Sequence, residues 1–243
     1  MSNLKVDGIV TKSDNTDLSI TAHGSGKVDI ETGFKVSGTA GVPIADLRTS
    51  SGTAGSGTFL RGDGQWQAAG GGAWTLISST TASDDASITV TGITSTYASH
   101  AIFISDLVPA SNDIRLYMRV GDSSGIDSGA SDYSWRRDDN DGYNKVYAAE
   151  NDTSDSVIEL QTGAGNNTGE ASHGRLYLMN PSGSSNYPFI SGQMTSHSHT
   201  DMVWGGSMMA MRNAAITMDR FQLYYSSGNI TSGRITLWGI ANA

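Results

Sequence analysis

From Trp74 onward, apolar side chains return at every second position, and that period constrains this chain more than any other feature. Ile114, Leu116, Met118 and Val120 alternate with Arg115, Tyr117 and Arg119. Successive side chains of a strand point to opposite faces, so this segment has a dry face and a wet one. Ala86, Ile88 and Val90 alternate in the same way with Ser87, Thr89 and Thr91, and Ala101-Ile102-Phe103-Ile104 is a continuous apolar run suited to a buried central strand. Further strands are expected over 131–137, 144–150, 157–161, 174–180, 187–194, 201–211, 218–225 and 233–240. Turn chemistry separates them: Gly121-Asp122-Ser123-Ser124-Gly125, Asp138-Asp139-Asn140-Asp141-Gly142, Gly163-Ala164-Gly165-Asn166-Asn167 and Pro181-Ser182-Gly183. Only Met208-Met209-Ala210-Met211 hints at a helical period; it follows Gly205-Gly206 and reads better as strand or loop. Many short strands at near-regular spacing predict a β-sandwich or jelly roll over 74–243.

Residues 1–56 cannot fold that way alone. Leu4-Lys5-Val6, Leu18-Ser19-Ile20, Val28-Asp29-Ile30 and Phe34-Lys35-Val36 are strand-like triplets separated by Asp14-Asn15, Gly24-Ser25-Gly26 and Thr32-Gly33. Each triplet offers two inward side chains, too little apolar surface to offset the entropy of ordering its backbone. Copies of the chain arranged around an axis could pool these side chains into a shared core, so the pattern itself calls for oligomerisation. Residues 38–56 are rich in Gly, Ala, Thr and Ser around one apolar knot, Val42-Pro43-Ile44-Ala45-Asp46-Leu47, and carry no sustained heptads. Between stem and head, residues 57–73 hold Phe59, Leu60 and Trp66 among the turn glycines Gly62 and Gly64, then Gly70-Gly71-Gly72. The expected organisation is a stem and docking region (1–56), an apolar plug and glycine hinge (57–73), and a head (74–243).

The formal net charge of −9, from 15 Lys and Arg against 24 Asp and Glu, leaves no basic footprint for nucleic acid. With charged residues at only 16%, Ser and Thr supply much of the polar surface. There is no cysteine, which excludes disulfides and thiolate metal sites. No run approaches the ~20 apolar residues of a membrane-spanning helix, and the first residues lack the apolar core of a signal peptide. The expectation is synthesis in a cytoplasm, with no membrane insertion.

Several segments resemble bacteriophage tail-fibre and virion appendage proteins. Gly57-Thr58-Phe59-Leu60-Arg61-Gly62-Asp63-Gly64-Gln65-Trp66 is similar to a segment that precedes C-terminal head domains in that family. Asn15 to Ile30 resembles a short β repeat of phage structural proteins. Trp74-Thr75-Leu76-Ile77, Ala86 to Ile93, Ile104 to Ala110, Leu116 to Val120 and the ending Tyr225 to Ile240 resemble the head domain, with Trp238 where that family often has Tyr. The resemblance implies a homotrimer on the surface of a virion, with a structural or host-binding role and no catalytic motif to carry across. It makes the expected fold all-β: a short fibrous trimeric stem followed by a jelly-roll-like sandwich. Three copies of Phe59, Leu60 and Trp66 would then form a plug closing the stem, with the stem contacting other virion proteins of the tail or capsid. The most direct functional expectation is a trimeric short tail fibre or receptor-binding appendage that recognises host surface glycans. The alternatives are a capsid decoration protein stabilising the shell and, in another class, a glycan-degrading spike.

Candidate chemistry is sparse. His197 and His199, at i and i+2, would project to one side of a strand and could ligate a metal across a trimer axis; exposed residues amid Ser and Thr would look the same. The loop 138–142 could hold calcium, although Arg137 stands where an EF-hand loop needs its first Asp. Arg61-Gly62-Asp63 reads as turn chemistry rather than as an integrin ligand. No Gly-x-Ser-x-Gly lies between a strand and a helix, so neither a catalytic residue nor a cofactor is expected. Trp135, Arg136, Arg137 and Tyr143 form the richest recognition cluster, because aromatic faces and arginines suit sugars and carboxylates.

Overall fold

The computed structural model describes residues 35–36, 39–40, 55–62, 65–68, 73–141, 147–199 and 202–241. The chain divides into two compact units, Met1–Gly70 and Gly71–Ala243. No helix occurs among the described residues.

In the first unit, β1 (Lys35–Val36) pairs with β2 (Thr39–Ala40), and β3 (Thr58–Leu60) with β4 (Trp66–Ala68), all antiparallel. The Phe34-Lys35-Val36 triplet thus contributes a short strand; the three earlier triplets lie outside the described residues.

The second unit holds β5 (Trp74–Thr81), β6 (Ile88–Thr91), β7 (Ser99–Pro109), β8 (Ile114–Asp122), β9 (Gly125–Ile126), β10 (Tyr133–Asp141) and β11 (Tyr147–Asp155). It continues with β12 (Ile158–Ala164), β13 (Ala171–Met179), β14 (Phe189–His197), β15 (Val203–Arg212), β16 (Arg220–Tyr225) and β17 (Ile230–Ile240). The large sheet runs β11-β10-β15-β14-β13-β7-β17-β5; the small one runs β12-β8-β16-β6, with β9 hooked onto β8. From β5 to β8 every step changes sheet, as do the steps from β11 to β12, β12 to β13, β15 to β16 and β16 to β17. Two hairpins break the alternation. β10–β11 and β14–β15 stay in the large sheet and extend it beyond β13.

The expected alternation sets the core. Ile114, Leu116, Met118 and Val120 of β8 meet Ile102 and Ile104 of β7, Leu176 and Leu178 of β13, and Phe221 and Leu223 of β16 in one continuous apolar cluster. The Met208–Met211 run is strand, with Met208 and Ala210 turned into this core. Two buried tyrosines pin the sheets together. The Tyr133 hydroxyl, from the large sheet, donates to the Asp127 carbonyl at 2.8 Å and accepts from the Val120 N–H of the small sheet at 3.0 Å. The Tyr225 hydroxyl, from the small sheet, donates to the Leu107 carbonyl at 2.8 Å. Burial pushes both phenols well above their ordinary pKa. Arg212 closes the surroundings of Tyr133 with ion pairs to Asp127 at 2.8 Å and Asp132 at 2.9 Å.

One expected turn is strand instead. The backbone of 138–141 continues β10, because partners lie on both sides: Asn140 opposes Tyr147 and Gly205, and Asp141 opposes Trp204. Two ladders outweigh the poor strand propensity of Asp and Asn, so the four residues do not form the loop that calcium chelation would need.

Candidate functional site

The large sheet has one face on the core and one turned outward, and the outward face is unusually apolar. Its composition follows from register. Arg136, Met209, Ser191, Tyr177, Ala101, Trp238 and Leu76 stand opposite one another from β10 across to β5. The neighbouring row reads Ser134, Met211, Phe189, Met179, Ser99, Ile240 and Trp74. Phe189 and Met209 are each 54% exposed, although residues of this kind are ordinarily inside.

On the two added hairpins this belt becomes a groove of about 1170 Å³. Met179, Phe189, Met209 and Met211 supply its apolar surface. Ser185, Asn186 and Tyr187, from the segment between β13 and β14, border it on one side, and Arg136, Asn151 and Asp152 of β10 and β11 on the other. Thioethers adapt their shape to a ligand. An aromatic face suits the C–H face of a sugar ring, and amide, carboxylate and guanidinium groups at the border suit hydroxyls and acidic substituents. At the other end, Trp74 contacts Phe103 at 6.0 Å and Tyr177 at 6.3 Å between ring centroids.

The recognition cluster expected from sequence splits by strand parity. Arg136 faces outward at the groove, half exposed and bonded to Asp138 at 3.1 Å. Its neighbours turn inward. Trp135 borders the groove from the core and donates from Nε1 to Asp155 at 3.1 Å. Arg137 is 1% exposed, pairs with Glu159 at 2.8 Å and also contacts Glu150. Desolvation raises the Glu159 pKa, against the pull of Arg137 and of Arg115 at 3.3 Å. Tyr143 lies outside the described residues.

His197 ends β14 with its Nδ1 3.3 Å from the Gly169 carbonyl; His199 lies 3.4 Å from the Gly163 carbonyl and 3.4 Å from Asp113. Among the described residues, no three His, Cys, Asp or Glu side chains gather in a way that could hold a metal ion. In the first unit, Leu60 opposes Trp66 and Phe59 opposes Gln67; Phe59 and Leu60 are 48% and 42% exposed. Gly62 sits in the exposed turn of this hairpin, and Gly64 lies outside the described residues.

Sequence reasoning missed Tyr187, Phe189, Met179 and Met209. The signal was present: Phe189-Ile190 and the Met208–Met211 run place apolar residues on both faces of strands, which a strand with one wet face does not do. No protein-family model and no curated protein sequence matches the chain.

Proposed function

We propose that this chain is a non-enzymatic bacteriophage virion structural protein: a trimeric short tail fibre or receptor-binding appendage that recognises host surface glycans. The head in this reading is a jelly roll, an architecture shared by viral capsid and lectin domains. The strand alternation supports it, since β5, β17, β7 and β13 oppose β6, β16, β8 and β12 with nearly every step crossing between sheets. The groove is the observation that carries the reading. Within the head, the segments that resemble phage appendages fall on β5 to β8, β16 and β17, whereas the groove lies mainly on the hairpins added to that framework, β10–β11 and β14–β15. A common scaffold with a private apolar and amide-lined groove suits attachment to one particular surface. The first 56 residues dock on tail or capsid partners, the plug of Phe59, Leu60 and Trp66 closes the trimeric stem, and three heads multiply weak sugar contacts by avidity.

Purified protein should bind envelope polysaccharide of the host, and Tyr187→Ala or Arg136→Ala should weaken that binding at unchanged fold. Gold-labelled antibody should mark a few sites on the tail of each particle. Labelling of the capsid in hundreds of copies, without polysaccharide binding, would replace this reading by capsid decoration, and release of reducing ends from the polysaccharide by a glycan-degrading spike.

A further inference from the structure

We infer that the outward face of β5, β17, β7 and β13 is the contact between copies of this chain. The inference rests on the trimer reading and adds to it which surface meets which partner. Three observations converge. The first is anatomy. In the first two rows between β13 and β5, the outward residues include Tyr177, Trp238, Leu76 and Trp74, with no charge among them. The cations Arg175 and Arg234 come only beyond these rows; Arg234, with Ser79, Ser105 and Thr236, borders a depression of about 640 Å³ whose apolar wall is Trp74, Leu76, Phe103 and Trp238. An uncharged aromatic centre with a polar border is how stable protein contacts are built.

The second is the edge. Among the described residues β5 pairs only with β17, so its other side is the edge of the sheet. It carries Trp74 at 37% exposure and Leu76 at 49%. Native edges of that kind are normally blunted by charge, proline or cover, and β5 has neither charge nor proline.

The third selects the occupant. The chain passes from the first unit through residues 71–73 directly into Trp74, and the Ala241 N–H donates to the Ala73 carbonyl at 2.8 Å. The tether therefore enters the second unit at the apolar patch itself. Copies joined through their first units would hold these patches at high effective concentration, an advantage that a foreign partner lacks.

The chain contains no cysteine, so single-cysteine variants of the full-length protein report one position each. Leu76→Cys tests the patch; Thr91→Cys, exposed on the edge strand of the small sheet, is the reference. In protein that light scattering reads as a trimer, a water-soluble maleimide should modify position 76 at least about tenfold more slowly than position 91, because access limits thiol reaction. The protection should vanish as dilution produces monomer. Leu76→Glu should raise the concentration at which the trimer dissociates by about tenfold or more. Equal labelling in a trimer would overturn the inference and leave the trimer reading standing. A monomer at all concentrations would overturn both. Protection that persists in the monomer would mean that the first unit of the same chain covers the patch, and would overturn the inference alone.

Discussion

The two sheets of the head use the same alternation to opposite ends. On the small sheet the outward positions are Arg115, Tyr117 and Arg119 of β8, Thr89 and Thr91 of β6, and Arg220, Gln222 and Tyr224 of β16. They have partners at the surface: Gln222 donates to Thr89 at 3.2 Å, Arg119 to the Ser156 carbonyl before β12 at 3.0 Å, and Tyr117 meets Tyr224 edge-on at 5.6 Å. The large sheet turns outward Phe189, Met209, Met179, Trp74 and Leu76, all more than a third exposed. One surface is finished against water and the other is not. Fold stability rests on the inner faces, so the outward apolar surface of the large sheet contributes little to it.

The sharpest way to separate inner from outer faces is the adjacent pair Arg136 and Arg137. Arg137→Ala removes the buried cation and leaves the buried carboxylate of Glu159 to the half-exposed Arg115 at 3.3 Å, a loss of about 3 kcal/mol in urea unfolding. Arg136→Ala, one residue away on the outward face, should change stability by less than about 0.5 kcal/mol. Comparable losses in both variants would break the parity assignment of β10.

Next in size is the pin between the sheets. Tyr133→Phe leaves the Val120 N–H without its buried acceptor, which costs about 1–3 kcal/mol. The variant also has a signature in pH. The folded state raises the phenol pKa, so it holds a proton that the unfolded chain releases. The stabilisation is complete below about pH 10, the ordinary phenol value, and is lost as pH rises beyond it. Tyr133→Phe should therefore lose stability less steeply than the parent above about pH 10, with Tyr225 and Tyr224, both raised by burial, contributing to the slope that remains. An unchanged slope would remove Tyr133 from the inter-sheet contact.

The strands were legible because their signal is local. Each of 157–161, 174–180, 187–194, 218–225 and 233–240 overlaps an observed strand, since alternation needs only near neighbours in the chain. What was not legible depends on which strands become neighbours. Arg136 and Arg137 look equivalent in sequence, and only the pairing of β10 with β15 and β11 decides which of them faces outward. Asp138 to Asp141 read as a turn until two ladders claim their backbone. The groove is the extreme case: Met179, Phe189 and Met209 come together only because a hairpin from late in the chain inserts between β13 and β10.

A smaller effect tests the self-sufficiency of the small sheet. Tyr224 receives the edge of Tyr117 and lies under the Arg119 guanidinium at 5.1 Å. Tyr224→Leu keeps apolar bulk and removes the ring, so the expected loss is about 1 kcal/mol. Because Arg119 then faces an aliphatic side chain, the loss should shrink in a parallel Arg119→Met background. Additive losses in the double variant would mean that ring and cation are not coupled.

The least change in stability is expected where the outward surface is most apolar. Phe189 is more than half exposed, so Phe189→Ser removes little buried area and should shift the unfolding free energy by no more than about 0.5 kcal/mol. The same substitution strips an exposed aromatic ring from the groove, where a central aromatic anchor is commonly worth 2 kcal/mol or more, about thirtyfold in affinity. Binding to host polysaccharide should fall accordingly while the melting curve stays put. On the small sheet, Thr89→Ser is the matched control, an outward substitution expected to leave both readouts alone. If Phe189→Ser unfolds the head, that side chain is structural and the groove is not a free surface. If stability and binding both survive, the apolar outward face of the hairpins serves something other than glycan attachment.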